Sequence, residues 1–444
     1  MISMQNNLLI YTPLITPRIT YIFKLILGDL LGLSFGFTSD PSLYQNYTGP
    51  VLCYDVQPLR RKEEIFIMSA GLLTEKSISS HQFGFIDFED SRAFYAVYGK
   101  SADIPFDLFS AAFYLVSRYE EYLPHMRDEH NRFSASSSMA SQQGFLRVPV
   151  VNKWALALGK LLENKFAGIR IQPTTYRFIP TIDIDAAWAY RNKGGMRIFG
   201  GYLKDVLTGN FSEIKMRTRV LLGRQNDPFD TYDLMYKLHS AHGLKPWFFI
   251  LFADYGLNDK NIPVNNADFQ TLVKALADYA HIGIHPGYVS NDHPEILKKE
   301  INQLSGVLKR EITASRQHFL KLNLPYTYRQ LLDQDIQMDF TMGFAAEPGF
   351  RAGICTPFFW YDLEAEVATS LRVYPFALME GTLRDYMNLD ADEALKTIQQ
   401  IVDEVKKVGG TFISLWHNES LSDQKRWKGW VRVYEQMLEL AAAK

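Results

Sequence analysis

Arg177–Trp188 reads RFIPTIDIDAAW, an apolar run that closes on two aspartates. If the run is a strand, Thr181, Asp183 and Asp185 share one face, while Ile182 and Ile184 share the other. The two carboxylates then stand roughly 6.5–7 Å apart at their Cα atoms and point the same way. Two neighbouring acids are expensive unless water, a cation or a basic partner meets them. A solvated strand end meets that demand as well as a metal or catalytic site does, and this stretch alone leaves the two readings level.

The same texture recurs downstream. Short apolar runs appear as KPWFFILFAD, HIGIHP, SRQHFL, FTMGFA, LRVYPFAL and GTFISLWH, separated by longer amphipathic or irregular segments. One of these, PEILKKEINQLSGVLKRE, carries Ile296, Leu297, Ile301, Leu304 and Leu308, with Ile312 just after it, on one helical face. Strands alternating with helices predict an α/β protein with a parallel sheet or barrel. In such folds polar groups at the C-terminal strand ends form the site. That rule gathers Asp183, Asp185, Asp254, His285, Arg316, His318 and His417 on one rim.

Upstream the pattern differs. Residues 1–133 mix short strand-like runs with the helix PFDLFSAAFYLVSRYEEYL and are expected to form a smaller α+β domain. Residues 134–175 are read as a linker and connecting helix, beginning with the polar stretch SASSSMASQQG, and residues 176–444 as the larger domain. The segment LLIYTPLITPRITYIFKLILGDLLGLSFGF, residues 8–37, is apolar but is broken by Pro13, Pro17, Lys24 and Asp29. It fits neither a secretory leader nor a membrane span, and predicts a strand followed by a buried helix. A cytoplasmic location is the expectation.

Lys and Arg total 47 against 49 Asp and Glu, with no basic tract, so nothing points to nucleic acid or an anionic membrane surface. Cys53 and Cys355 are the only cysteines, which excludes a disulfide framework.

The rim residues suggest a chemistry. Asp185 and His285 supply an oxygen and an imidazole, the start of a catalytic Zn site. A divalent ion there lowers the pKa of a water and polarises a carbonyl oxygen. Asp183 can act as base, His417 can protonate the leaving group, and Arg316 can hold Asp183 by a bidentate pair. The reaction so described is metal-assisted acyl hydrolysis.

Residues 181–417 resemble the NodB-homology polysaccharide deacetylases, family-4 carbohydrate esterases. TIDIDAAW is similar to the family's Thr-Phe-Asp-Asp-Gly motif, HIGIHPGYVS to the strand that opens its second motif, SRQHFL to the motif carrying an arginine, and FISLWH to its final strand. The resemblance implies a distorted (β/α) barrel and removal of acetyl groups from a carbohydrate. It implies a divalent metal, with Zn first and Co, Ni or Mn as alternatives. It assigns Asp183 as base, Asp185 and His285 as ligands, Arg316 as the residue that orients the base, and His417 as acid. The N-terminal part looks like an accessory domain preceding such domains in some bacterial proteins.

Two departures stand out. Ile184 separates the paired acids, and Val289 occupies the place of the family's second metal histidine, four residues after His285. His318, two residues beyond Arg316 and on the same face if the strand continues, is the substitute third ligand. The segment FTMGFAAEPGFRAGICTPFFWYD is read as a sugar-binding wall, with Arg351 and Trp360 as substrate contacts. A packed loop fits it equally. The rival reading keeps the fold but loses the metal, leaving a carbohydrate-binding or scaffold protein of a glycan-assembly system.

Overall fold

The computed structural model describes residues 7–98 and 101–443. The N-terminal strands are β1 (Leu8–Tyr11), β2 (Phe35–Thr38), β3 (Val51–Asp55) and β4 (Glu64–Met68). They pair in the order β2-β1-β3-β4, every pair parallel. An antiparallel hairpin follows, β5 (Phe85–Phe88) with β6 (Ser91–Phe94). The expected α+β character is thus corrected: the main sheet here is parallel. The run VLCYD shows why, since Val51 to Tyr54 are buried in succession, as in a sheet covered on both faces. Between β1 and β2, Thr16 caps the helix Pro17–Phe23 by accepting from Ile19 N at 3.1 Å, with Pro17 pre-set for the first turn.

The helix Leu108–Val116 is buried at every position. Phe109 stacks on Phe23 at 3.6 Å and Phe113 meets Tyr361 at 5.1 Å, so it lies between the N-terminal helix and the larger sheet. Apolar contact continues without a break, and one buried cluster runs from Leu8 to Ala441. Polar ties cross the same seam, including Arg18 Nε to Glu366 at 3.0 Å and Tyr21 Oη to Phe359 O at 2.7 Å.

The larger sheet contains β7 (Arg177–Ile184), β8 (Trp247–Leu251), β9 (His281–His285), β10 (Ala314–Ser315), β11 (Met338–Asp339), β12 (Phe358–Asp362), β13 (Val367–Val373), β14 (Leu378–Met379) and β15 (Thr411–His417). Its order is β12-β13-β11-β10-β9-β8-β7-β15-β14, parallel throughout except for the β12–β13 pair. As a ladder of paired strands it is open rather than a closed barrel. Its two ends are nevertheless joined through residues 372–379. Tyr374 N donates to Asp339 O at 2.8 Å and Phe376 N to Met342 O at 3.0 Å, then Ala377 N reaches Ile413 O of β15 at 3.0 Å. Inside the curl Phe249, Ala314, Phe340, Phe376, Ile413 and Leu415 form a separate apolar cluster.

Parallel pairing brings the C-terminal ends of the strands to one rim. Asp183 is in register with His417 of β15 and Phe249 of β8, and Leu251 with His285 of β9. Amphipathic helices cover the outside, among them Ala391–Lys407, which opens with an Asp390/Glu393 capping box and buries Ile398, Ile401, Val402 and Val405. Among the described residues no helix is long and apolar enough to cross a membrane.

Candidate metal and catalytic centre

Three strand ends and one turn meet in a cavity of about 260 Å³ whose lining includes Asp183, Asp185, His285, His318 and His417. β7 ends at Ile184, so Asp185 stands just past the strand and Asp183 just inside it. One ligand atom from each of Asp185, His285 and His318 lies within 4.8 Å of the others. Asp185 Oδ1 is 3.3 Å from His285 Nε2, and Asp185 Oδ2 is 3.6 Å from His318 Nε2.

Both histidines are fixed from behind. His285 Nδ1 donates to Arg316 O at 2.5 Å, and His318 Nδ1 donates to Asp259 Oδ1 at 2.8 Å. Anchoring Nδ1 in this way aims Nε2 into the cavity as the coordinating atom. Asp185 Oδ1 is buried and has no hydrogen-bond partner among the described residues. In the neutral ring His285 Nε2 carries a lone pair, so two electron-rich atoms face each other across that 3.3 Å gap. Ligands about 2.0–2.1 Å from a tetrahedral ion stand about 3.3–3.4 Å apart, so the donor set fits a divalent metal such as zinc.

The electrostatics add a condition, since a histidine must lose its Nε2 proton before it can coordinate. Burial works against ionisation of Asp185, but the neighbouring histidines, His318 first among them, outweigh it and hold its carboxyl well below the usual value. Burial likewise opposes charge on His318, but Asp185 and Asp259 raise it to about 9.

Two further pairs flank the cluster. Arg316, wholly buried, donates from Nη1 to Asp183 Oδ1 at 2.8 Å and to Thr181 Oγ1 at 2.7 Å. The expected bidentate pair is not seen: Nε donates to Phe340 O at 2.9 Å, and Nη2 has no hydrogen-bond partner among the described residues. On the other side His417 Nδ1 donates to Glu380 Oε1 at 2.8 Å, and its Nε2 lies 3.8 Å from Asp185 Oδ2. Burial disfavours charge on His417, yet Glu380 and then Asp185 and Asp183 push it well above the ordinary histidine value.

His318 arrives by a route other than the expected one. β10 stops at Ser315, and the chain then turns through Phe319 and Leu320, both at positive φ of 57° and 54°. Each such residue costs about 1–2 kcal/mol outside glycine, so the turn must be held by its surroundings. Val289, in the place of the missing histidine, is exposed. The loop it belongs to is braced instead by Glu300, which accepts from Gly287 N at 3.0 Å and Ser290 Oγ at 2.9 Å.

The expected substrate contacts, Arg351 and Trp360, lie off the Asp/His cavity. Arg351 is buried with Nε and Nη2 on the Glu121 carboxylate at 2.9 and 2.6 Å and Nη1 on Gly343 O, and it does not line the Asp/His cavity. Trp360 is core: it is 1% exposed, with its ring 5.3 Å from that of Tyr328. Asp254 also lies off the cluster, exposed and paired with Lys299 at 2.6 Å. Asp259 and Glu380 were missed by sequence reasoning. Glu380 follows the apolar run LRVYPFALM and is a strand-end residue of the kind the rim rule collects, whereas Asp259 sits in an irregular loop with no periodic signal.

A family model described as "Family of unknown function (DUF7033)" matches residues 8–167. No curated protein matches the chain. Among solved structures the chain is similar to a Mycobacterium smegmatis protein assigned as a polysaccharide deacetylase, at 13% identity and a TM-score of 0.40 over 61% of this chain and 85% of that one. It is similar to Agd3, described as a carbohydrate deacetylase, at 9% identity and a TM-score of 0.36 over 66% and 54% of the two chains. It is also similar to a CE4-family pseudoenzyme from Bacillus anthracis, at 11% identity and a TM-score of 0.29 over 61% and 62%. Similarities this distant leave the chemistry to be argued from the chain's own side chains.

Proposed function

We propose that the chain is a metal-dependent carbohydrate deacetylase, hydrolysing an N- or O-acetyl group on a surface-polysaccharide or precursor sugar. The observation that carries this reading is the Asp185/His285/His318 cluster, flanked on one side by Asp183 with Arg316 and on the other by His417 with Glu380. Asp185, His285 and His318 would hold one divalent ion, with zinc suited to the two nitrogens and one oxygen. Such an ion, when bound, supplies Lewis acidity at the acyl oxygen and lowers the pKa of a water.

The chain's own residues do the rest. Asp183 Oδ1 is committed to Arg316, so Oδ2 takes the proton as water attacks the acyl carbon. Collapse breaks the bond from the acyl carbon to the sugar nitrogen or oxygen, and protonated His417 gives its Nε2 proton to that leaving atom. Acetate and a free amine or hydroxyl result. Glu380 keeps His417 charged and turned toward the cleft. Leu415, Leu320, Met379 and Ala345 give the cavity an apolar wall suited to an acetyl methyl. At the rim the half-exposed ring of Tyr386 offers a face for a pyranose.

The division at residues 133 and 175 and a cytoplasmic location belong to the same proposal, the second supported by Cys53 and Cys355 being free thiols. Acetate release from acetylated oligosaccharides, assayed on the wild type and Asp183→Asn, tests the function. Release by the wild type alone is expected, and equal release by both would overturn it.

A further inference from the structure

Resting on that reading of the metal centre, we infer that the Asp128–Phe133 loop of the N-terminal region is a working part of the centre, with Arg132 as the positioning residue that holds the turn carrying His318. Arg132 Nη1 donates to Phe319 O at 2.7 Å, a bond between residues 187 apart in sequence. Its acceptor is the carbonyl of the first of two successive left-handed residues, directly after His318. A non-glycine turn of that kind persists only where its surroundings over-determine it. Arg132 is the side chain that meets this carbonyl, and the residue also lines the cavity.

The loop is built to present that arginine. Asp128 Oδ1 accepts from His130 N at 3.0 Å and from Arg132 N at 2.9 Å, while Asp128 Oδ2 takes Arg132 Nε at 2.7 Å. The side chain is 10% exposed, so its direction is set from both ends. His130 adds a second brace, its ring 4.6 Å from that of Phe319 and its Nδ1 3.3 Å from Tyr288 Oη. Tyr288 follows His285 by three residues, and its N–H donates to Asp259, the same carboxylate that holds His318 Nδ1. The one N-terminal loop therefore touches both segments that deliver histidines to the centre. With Val289 standing where a helical-turn histidine would otherwise close the ligand set, the third ligand depends on a turn fixed from outside the larger domain.

The test compares wild type, Arg132→Gln, Arg132→Lys and Arg127→Gln. Arg127 directly precedes that loop, donates to Asn131 O at 3.2 Å and has no hydrogen bond to Phe319 among the described residues. Metal-stripped protein is titrated with Co2+ by visible absorption, and amide hydrogen exchange is followed across residues 317–321 in the metal-free state. The expected result is a rise in Kd for Co2+ of about 10–100-fold in Arg132→Gln, the range for supporting groups around a ligand. A smaller rise is expected in Arg132→Lys and none in Arg127→Gln, with faster exchange in the turn of Arg132→Gln only. Unchanged Kd and exchange in Arg132→Gln would overturn the inference, as would equal losses in Arg127→Gln. A wild type that takes up no Co2+ contradicts the proposed function instead, and the exchange data then judge the clamp alone.

Discussion

Arg316 donates from Nη1 to Asp183 Oδ1 at 2.8 Å, with both side chains almost wholly removed from solvent. That single bond orients one carboxylate oxygen and leaves the other, Oδ2, facing the cavity 3.8 Å from His285 Nε2. It also neutralises a charge that burial would otherwise make expensive. Removing either partner therefore strands the other's charge.

Arg316→Met leaves Asp183 buried and unpaired, a loss worth about 3–5 kcal/mol in comparable pairs. Thermal unfolding should show a large fall in Tm. Asp183→Asn in the same background should recover part of it, because the stranded charge is gone. A double variant no more stable than Arg316→Met alone would contradict the pairing.

Among the described residues the Glu380 carboxylate hydrogen-bonds to His417 alone. Its carboxylate takes both His417 N and Nδ1 at 2.8 Å from a fully buried position. Glu380→Gln should lower kcat for deacetylation by about 10²–10⁴-fold, the scale of a misdirected acid–base group, with metal content unchanged. A fall in metal content equal to the fall in rate would instead place Glu380 in support of the metal ligands.

Asp259 supports the opposite side. Asp259→Asn weakens the brace behind His318 and should reduce metal affinity by about 10–100-fold. Asp254→Asn, which removes only an exposed pair with Lys299, should leave affinity unchanged. Metal titration of the two variants side by side checks this, and matching affinities would contradict the role of Asp259.

Glu300 should give the fold a pH signature. Burial raises its carboxyl from 4.5 to about 7. A raised carboxyl is protonated more readily in the folded chain than in the unfolded one. Its contribution is then most favourable below about 4.5 and is lost as pH rises through about 7, a swing of roughly 3 kcal/mol. Glu300→Gln keeps an acceptor for Gly287 N and removes the ionisation. The Tm of the variant relative to wild type should therefore climb between pH 5 and pH 8. A constant difference over that range would contradict a buried, titrating Glu300.

Much of this arrangement is legible in the chain, for reasons that can be named. Asp183, Asp185, His285 and His417 end apolar runs, and a parallel ladder must bring such ends together. His318 is legible as a candidate, but the strand-face argument for it fails, because β10 is two residues long and the ligand is delivered by a turn. Arg351 and Trp360 look like surface groups of an irregular loop. They are buried because the N-terminal region packs over that loop, with Glu121 meeting Arg351 across 230 residues of sequence. Contacts of that kind leave no local period to read. Asp259 and Arg132 escape notice for the same reason, since their partners lie far along the chain.

The central claim is that Asp185, His285 and His318 hold one divalent ion used for deacetylation. It is tested most directly by stripping the protein of metal and adding back Zn2+ or Co2+ in steps, while measuring bound metal and acetate released from an N-acetylated oligosaccharide. The account predicts that both rise together and level off at one ion per chain, and that His318→Ala neither binds at those concentrations nor releases acetate. A wild-type chain that binds no ion, or one that His318→Ala matches in both readouts, would contradict it.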